Sequence, residues 1–125
     1  MQPLGVHHVS INVADAGEAI AFYTDVLGLT VRSDRPDFSV GGAWLDLGDQ
    51  QVHLIETDVP DDKGQHFAIR VGDLDAAVTE LRDRGVTVTD PSPVGTSLQS
   101  FLHDPSGNRI ELHQPAPGSR GGPTP

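Results

Sequence analysis

The second half of this 125-residue chain repeats the pattern of its first half. The segment HVSINVAD (8–15) aligns with HFAIRVGD (66–73), so that His, Ile, Val and Asp recur at an offset of 58 residues. At the same offset VHL (52–54) falls on IEL (110–112) near the end of each half. A repeat of this length corresponds to one supersecondary unit, so the chain is expected to form two similar units.

Each half has the pattern of a strand, a helix and three further strands. Asp15 and Asp73 precede helical segments as N-cap residues, and Gly28 and Gly85 follow them at positions where a left-handed backbone ends a helix. The segment DPSGN (104–108) is typical of a type I turn between two strands and needs no functional explanation. The predicted strands are 6–13, 29–33, 42–47 and 51–56 in the first half, and 66–71, 86–89, 98–103 and 108–113 in the second.

The length suits one domain, because 125 residues are too few for two ordinary domains. We expect this domain to span 1–114, with module 1 at about 4–57 and module 2 at about 65–114. The segment 57–64 between them carries Pro, Gly and charge, as linkers do. Residues 115–125 are mostly Pro, Gly, Ser and Thr and are expected to be a disordered tail.

Composition excludes several classes of function. Eight Lys and Arg face 18 Asp and Glu, giving a formal net charge of -10, which argues against binding to nucleic acid or to an anionic membrane. The absence of cysteine excludes thiolate zinc sites and cysteine nucleophiles. No apolar run approaches the roughly 18 residues of a membrane span, and the first residues lack the pattern of a signal peptide. We therefore expect a cytoplasmic protein.

Strand alternation brings four potential metal ligands to one face. His8 and His66 lie opposite to the apolar residues of their strands, which should pack on the helices. His53 and Glu111 lie on the corresponding face of the last strand of each half. The four residues form two pairs of repeat-equivalent positions, and a pseudo-twofold would let them converge. Three imidazoles and one carboxylate suit Zn, Ni, Co, Mn or Fe(II), with positions left open for substrate or water.

Three other residues near these positions receive different predictions. A lone histidine in a strand is usually structural, and His7 has the opposite parity to His8, so we expect His7 on the helix-packing or edge side. Glu56 has the opposite parity to His53 and should point away from the metal ligands. His113 shares the face of Glu111 and is a candidate for lining the groove.

Three segments together resemble the vicinal oxygen chelate superfamily, which includes glyoxalase I, extradiol dioxygenases, fosfomycin-resistance thiol transferases and bleomycin-resistance proteins. They are HVSINVADAGEAIAFYTDVLGL (8–29), HFAIRVGDLDAAVTELRDRGV (66–86) and FLHDPSGNRIEL (101–112). The resemblance extends from about residue 4 to 114. It implies an α+β fold in which two βαβββ modules curl mixed four-stranded sheets into half-barrels, with the helices on the outer face.

The resemblance also implies the same metal ligands that the repeat selects. In metal-binding members they are the first-strand His, a fourth-strand residue, the His opening the second module and the Glu of the final strand, which map onto His8, His53, His66 and Glu111. The fourth-strand position is Glu, Gln or another residue in many members, so His53 is a departure. Members of this length are commonly homodimers with each site at the subunit interface, which would pair His8 and His53 of one subunit with His66 and Glu111 of the other.

The superfamily's common chemistry is bidentate binding of adjacent substrate oxygens to the ion, which stabilises an enolate or oxyanion. The resemblance therefore implies a metal-dependent lyase or isomerase acting on a small oxygen-rich substrate. Glu111 is the candidate catalytic residue that moves the proton. Trp44 and Phe101 are candidates for a pocket wall, although core packing is the simpler explanation for both. The candidate substrate-binding residues are Ser10, Asn12, Arg70, Phe101 and His113.

Two alternatives stand beside this function. The first is another metal chemistry at the same site, either an extradiol dioxygenase with Fe(II) or a fosfomycin-type thiol transferase. Dioxygenases of this kind need two His and one carboxylate, so that His53 as a fourth ligand counts against them. The second alternative is a metal-free resistance protein that binds a drug without turnover. An intact ligand set argues against it, because sequestering members tend to have lost the ligands.

Overall fold

The computed structural model describes residues 1–118. Over that range each half of the chain forms the predicted strand, helix and three strands. The first half consists of β1 (His8–Val13), α1 (Ala16–Ala21), a π-helical segment (Phe22–Val26), β2 (Thr30–Val31), β3 (Gly42–Leu47) and β4 (Gln50–Glu56). The second half consists of β5 (His66–Arg70), α2 (Leu74–Asp83), β6 (Ser92–Val94), β7 (Ser97–His103) and β8 (Arg109–Gln114).

The strands form two four-stranded mixed sheets with the same topology, in the orders β1-β4-β3-β2 and β5-β8-β7-β6. In each sheet the first strand pairs in parallel with the last, and the last pairs antiparallel with the third. His8 pairs with Gln51 in the first sheet and His66 pairs with Arg109 in the second. Both members of the second pair lie 58 residues after their counterparts in the first. The predicted α+β fold of two βαβββ modules with mixed sheets is confirmed.

The chain divides into two compact units within this fold. One unit consists of Met1–Asp62 together with Asp104–Asn108, and the other of Lys63–His103 together with the described residues from Arg109 onward. The division after Asp62 falls in the segment 57–64 that we expected to be the linker. Of the tail predicted at 115–125, residues 119–125 lie outside the described residues. No helix within residues 1–118 is long and apolar enough to cross a membrane.

Alternation along the strands separates a core face from an open face in each unit. In the first unit α1 packs on β3 and β4, and its core includes Val13, Leu45 and Val52, each fully buried. In the second unit α2 packs on β7 and β8, where Leu74 and Ile110 are fully buried. Burial of these apolar side chains stabilises each unit by about 1.5–3 kcal/mol per fully buried residue.

Both helices begin and end as predicted. The Asp15 carboxylate accepts a hydrogen bond from the Glu18 amide, and the Asp73 carboxylate accepts one from the Ala76 amide. Gly28 and Gly85 follow the two helical segments with φ of 81° and 82°, which a side chain would disfavour. The structure differs from the prediction in that the first helix widens into the π-helical segment after Ala21.

A further contact links each helix to the last strand of its own unit. The Ala16 amide donates to Glu56 Oε2 over 2.8 Å, and the Leu74 amide donates to Gln114 Oε1 over 2.8 Å. The two donor residues are 58 positions apart in the sequence, and so are the two acceptor residues. The repeat therefore extends to the contact that holds each helix N-terminus, and Glu56 points away from the face of His53 as predicted.

The predicted strand at 86–89 is wrong. Thr89 donates its amide to the Phe101 carbonyl, but the strand in this region is β6, at Ser92–Val94. Gly95, with φ of 58°, allows a tight turn that pairs β6 with the start of β7. Pro93 is tolerated because β6 is an edge strand. No strand within residues 1–118 pairs with its outer side, so the missing N–H of proline removes no hydrogen bond there.

The segment Asp104–Asn108 forms the predicted turn and does more than connect two strands. The Gly107 amide donates to the Asp104 carbonyl, which closes the turn. Ser106 Oγ accepts a hydrogen bond from the Ala14 amide, and Asn108 Nδ2 donates to the Asn12 carbonyl. These bonds explain why the segment belongs to the first compact unit although it follows β7 in the chain.

Candidate functional site

In the first unit, His8, His53 and Trp44 form a continuous stack of planar rings. The rings of His8 and His53 are parallel within 14°, with their centroids 3.9 Å apart. Trp44 stacks on His53 with a centroid distance of 4.5 Å. The strand register produces this arrangement, because Trp44 on β3 pairs directly with His53 on β4. The stack holds the plane of the His53 ring while His8 remains exposed at one end.

His53 is the buried member of this stack, with 8% of its surface exposed. Burial, followed by the charges that His8 and His7 carry when protonated, lowers the pKa of His53 below its ordinary range. Its Nε2 lies 2.8 Å from Gln51 Oε1, which can only accept, so Nε2 carries the proton. The remaining nitrogen, Nδ1, keeps a lone pair, and a neutral imidazole with a free lone pair is the form that binds metal ions.

In the second unit, His66 and Glu111 lie in direct contact. His66 Nδ1 is 2.8 Å from the Gly64 carbonyl oxygen, which accepts its proton, and His66 Nε2 is 3.1 Å from Glu111 Oε1. A lone pair on Nε2 facing a carboxylate oxygen requires a cation between them, either a proton or a metal ion. A backbone carbonyl on the far nitrogen is the usual outer contact of a metal-binding histidine.

The other carboxylate oxygen of Glu111 contacts a second histidine. Oε2 is 2.9 Å from His113 Nδ1, two residues further along β8. Phe101, paired with Glu111 in the sheet, sets its ring edge-to-face on His66 at 5.4 Å. Phe101 thus corresponds to Trp44 in its place in the sheet, since each pairs with the candidate ligand of the last strand. The contacts differ, because Trp44 stacks on the ligand that it pairs with and Phe101 meets the first-strand ligand edge to face.

The structure places the remaining predicted substrate-binding residues as follows. Ser10 is exposed and pairs with His53 in the sheet, so it borders the ring stack. Asn12 uses its Nδ2 within the unit, where it donates to the Asp58 carbonyl over 2.9 Å. Arg70 is exposed at the end of β5 and pairs with His113.

Of the two positions expected for His7, the structure shows the edge: His7 lies just before the edge strand β1 and does not pack on the helix side. His7 precedes β1, so strand alternation does not apply to it, and its side chain is exposed. Its Nδ1 lies 2.8 Å from Nδ1 of His8, and the two rings meet edge to face. His7 therefore contacts a candidate ligand instead of the core.

The donor sets of both units fit a borderline divalent ion. Each unit contains two candidate ligands, His8 with His53 and His66 with Glu111, and the buried His53 presents one unprotonated nitrogen. The 3.1 Å between His66 Nε2 and Glu111 Oε1 matches the spacing of about 3 Å expected of two ligands that bind one ion at about 2 Å. Within residues 1–118, no group of three or more such side chains is assembled around one ion position.

Two side chains that form hydrogen bonds with the candidate ligands were not predicted from the sequence to do so. Gln51 lies two residues before His53, and His113 lies two residues after Glu111, each on the same face of its strand. Strand alternation alone could have found both contacts, because residues two apart share a face. The Gly64 carbonyl could not have been found this way, since it lies outside the strands.

Comparison with known proteins gives one family. The family model described as Glyoxalase/Bleomycin resistance protein/Dioxygenase superfamily matches residues 5–112. A probable lactoylglutathione lyase from Vibrio cholerae is 35% identical over 121 residues, which cover 86% of this chain and 88% of that protein. A lactoylglutathione lyase from Arabidopsis thaliana is 32% identical over 88% of this chain, which spans only 44% of that longer protein.

Solved structures of similar proteins share the fold over nearly the whole chain. A glyoxalase family protein from Bacillus anthracis is 28% identical, with a TM-score of 0.79 over 91% of this chain and 97% of that one. TnmS3, an antibiotic binding protein from Streptomyces sp. CB03234, is 27% identical, with a TM-score of 0.80 over 93% of this chain and 99% of that one. Proteins similar to this chain thus include both lyases and a binding protein.

Proposed function

Because the chain belongs to the glyoxalase/bleomycin resistance protein/dioxygenase superfamily, we propose that it is a metal-dependent enzyme that acts on a small oxygen-rich substrate. The observation that carries this proposal is the contact of His66 Nε2 with Glu111 Oε1, with His66 Nδ1 held by the Gly64 carbonyl. That arrangement presents a nitrogen lone pair and a carboxylate to the same cation. The names of relatives such as the Vibrio cholerae protein support a lyase acting on a 2-hydroxyacyl thioester of the lactoylglutathione class.

In this proposal His8, His53, His66 and Glu111 hold one divalent ion. When bound, the ion would act as a Lewis acid that polarises a substrate oxygen and lowers the pKa of the neighbouring C–H bond. Glu111 accepts that proton and returns it to the adjacent carbon, since its side chain is 12% exposed and thus largely shielded from water. Arg70, exposed at the end of β5, holds an anionic group of the substrate.

Metal analysis tests the proposal directly. Protein reconstituted with Co(II), Ni(II) or Zn(II) and freed of excess ion should retain one ion per chain, and His66→Ala should lose it. His103→Ala removes an exposed histidine at the end of β7 and serves as the matched control. Wild-type protein without retained metal, or equal losses in both variants, would contradict the proposed site.

We propose further that the protein is a homodimer. Each of its two sites combines the first module of one chain with the second module of the other chain. His8→Ala and His66→Ala would each destroy both sites of such a dimer. Mixing the two variants and allowing subunits to exchange should restore one intact site in each heterodimer, or about a quarter of the wild-type sites. No recovery after demonstrated exchange would show that both modules of a site belong to one chain.

A second candidate function is binding of a planar ligand without turnover. It is favoured by the ring stack of the first unit, beside which Phe38 lies tilted by 52° against Trp44 at a centroid distance of 6.1 Å. Phe38 is 48% exposed, and the Arg35 guanidinium lies over its ring, 4.8 Å from the centroid. The likeness to an antibiotic binding protein agrees with this function. Ligand binding that is unchanged by metal removal and by His66→Ala would favour binding over catalysis.

A further inference from the structure

The Glu111 carboxylate is held at both of its oxygens by different side chains. Oε1 lies 3.1 Å from His66 Nε2, on the neighbouring strand, and Oε2 lies 2.9 Å from Nδ1 of His113 on the same strand. Glu111 is 12% exposed and His113 33% exposed, so the second contact is partly shielded from water. A bond between largely shielded groups resists competition from solvent better than one on the surface.

The two residues that pair directly with Glu111 in the sheet have no polar side chain. The sheet register sets Ala68 on one side of Glu111 and Phe101 on the other. A glutamate side chain has three rotatable bonds, and its last torsion is broad, so the carboxylate plane needs a hydrogen bond to hold one orientation. His113 supplies such a bond from the same face of β8.

The repeat supports a role that is specific to the carboxylate. The position equivalent to Glu111 in the first unit is His53, and the position equivalent to His113 is Ile55, which has no donor. His53 is a planar ring held between His8 and Trp44, so its orientation does not depend on a partner two residues further along. The histidine thus occurs in the unit whose candidate ligand is flexible and is replaced by isoleucine where the ligand is stacked.

We infer that His113 is a positioning residue, which donates Nδ1–H to Glu111 Oε2 and thereby presents Oε1 to the cation that His66 faces. The inference rests on the proposed function only for the identity of that cation. The hydrogen bond between His113 and Glu111 does not depend on the proposed function. It also gives His113 a different task from the substrate contact expected from sequence. Because the oxygens are divided, Glu111 remains tethered through Oε2 when Oε1 leaves the cation.

Nitrogen NMR of the metal-free protein tests the contact without any metal. Long-range proton–nitrogen spectra should show a proton on Nδ1 of His113, since a carboxylate can only accept. Glu111→Ala should move the ring to the Nε2–H tautomer that free imidazoles favour. A wild-type His113 with Nδ1 unprotonated, unaffected by Glu111→Ala, would overturn the inference and leave the proposed function standing.

Binding of Co(II) tests the consequence. His113→Ala should weaken Co(II) binding about 10- to 100-fold and alter the visible absorption of the bound ion, as the loss of an outer hydrogen bond does. His113→Asn or His113→Gln should recover much of the affinity, because an amide N–H can replace the ring N–H. His103→Ala should match the wild type.

The outcomes separate the two proposals. An affinity unchanged in His113→Ala, or no rescue by either amide variant although all variants fold, would overturn the positioning role. Wild-type protein that binds no Co(II) would instead overturn the proposed function, while the NMR result decides the His113–Glu111 contact alone.

Discussion

The hydroxyl of Tyr23 donates a 2.7 Å hydrogen bond to Asp104 Oδ2 across 81 residues of sequence, and both side chains are buried. The same carboxylate accepts the amide hydrogens of Ser106 and Asn108 through Oδ1. Burying a charge is costly unless hydrogen bonds replace its water, and here four donors do so, because the side-chain amide of Asn108 also donates to Oδ2. Through Tyr23, Asp104 therefore adds a buried contact to the Ser106 and Asn108 bonds that hold the 104–108 turn in the first unit.

Tyr23→Phe should destabilise the protein because it removes one donor from a buried carboxylate. A hydrogen bond to a charged group contributes about 1.5–3 kcal/mol, and the ring itself is retained in the variant. The free energy of unfolding from urea denaturation measures the loss. Asp49→Asn changes an exposed aspartate in the turn before β4 and should leave the stability unchanged. A loss in Tyr23→Phe no larger than in that control would contradict the role of the bond.

The same pair predicts a loss of stability at alkaline pH. Burial and then the negative Asp104 raise the pKa of Tyr23 far above its ordinary value of about 10. Above pH 10 the unfolded chain loses the phenolic proton and the folded chain retains it, so the free energy of unfolding falls by up to about 1.4 kcal/mol per pH unit. Below pH 10 the contribution is fully present.

Absorbance measures this effect cleanly because Tyr23 is the only tyrosine. The tyrosinate signal of the native protein should stay absent above pH 10 and appear together with unfolding. Tyr23→Phe should show a shallower decline of stability over the same range. A tyrosinate signal that develops near pH 10 while the fold persists would refute the buried hydrogen bond.

Replacing Glu56 tests the contact that each last strand makes with its helix. Glu56→Gln keeps the acceptor for the Ala16 amide but removes the charge at the helix N-terminus, and should cost about 0.3–1 kcal/mol. Glu56→Ala removes both and should cost about 1–2 kcal/mol. Chemical denaturation distinguishes these values, with Glu80→Gln on the exposed face of α2 as the control. A similar cost for Gln and Ala would show that only the charge matters.

The elements that follow the repeat could be predicted from sequence because their causes are local. Alternation set the faces of β1, β4, β5 and β8, and the residues that begin and end the helices are those expected from capping chemistry. The candidate ligands follow the same rule. His53 and Glu111 occupy equivalent positions because the strand pairing of the second sheet repeats that of the first sheet 58 residues later.

The features that could not be predicted have long-range or end-of-strand causes. Ser106 and Asn108 bond to residues 92 and 96 positions away, and no local pattern carries that information. His7 lies just before β1, where alternation ceases to determine side-chain direction. The position of β6 depends on the turn at Gly95, because a tight turn and not the apolar residues at 86–89 sets the register of that hairpin.

Gly42→Ala should destabilise the first sheet for a steric reason. A Cβ at Gly42 would clash with the Leu54 carbonyl oxygen on the paired strand β4, and backbone cannot move aside cheaply. Overpacking of this kind costs about 1–3 kcal/mol. Thermal and urea unfolding should show the loss. Gly72→Ala is the matched control, since a Cβ there has no heavy atom within 4 Å and should leave stability unchanged or slightly raised.

Trp44 should report metal binding at His53 through its fluorescence. It is the only tryptophan, and its ring stacks on His53 at 4.5 Å, so a paramagnetic ion on the imidazole lies close enough to quench the indole. Titration with Co(II) should therefore quench the emission in proportion to the ion bound. Zn(II), which has no unpaired electrons, should compete with Co(II) and restore the emission.

Two variants make this prediction specific to His53. His53→Ala removes the imidazole that stacks on Trp44, so the quenching should be lost even if an ion binds to His66 and Glu111. His103→Ala should retain the full effect, because it removes an exposed histidine of the second unit and keeps the number of histidines equal in the two variants. Quenching of equal size in both variants would mean that the ion near Trp44 is bound without His53, and the stacked histidine would then be a structural residue.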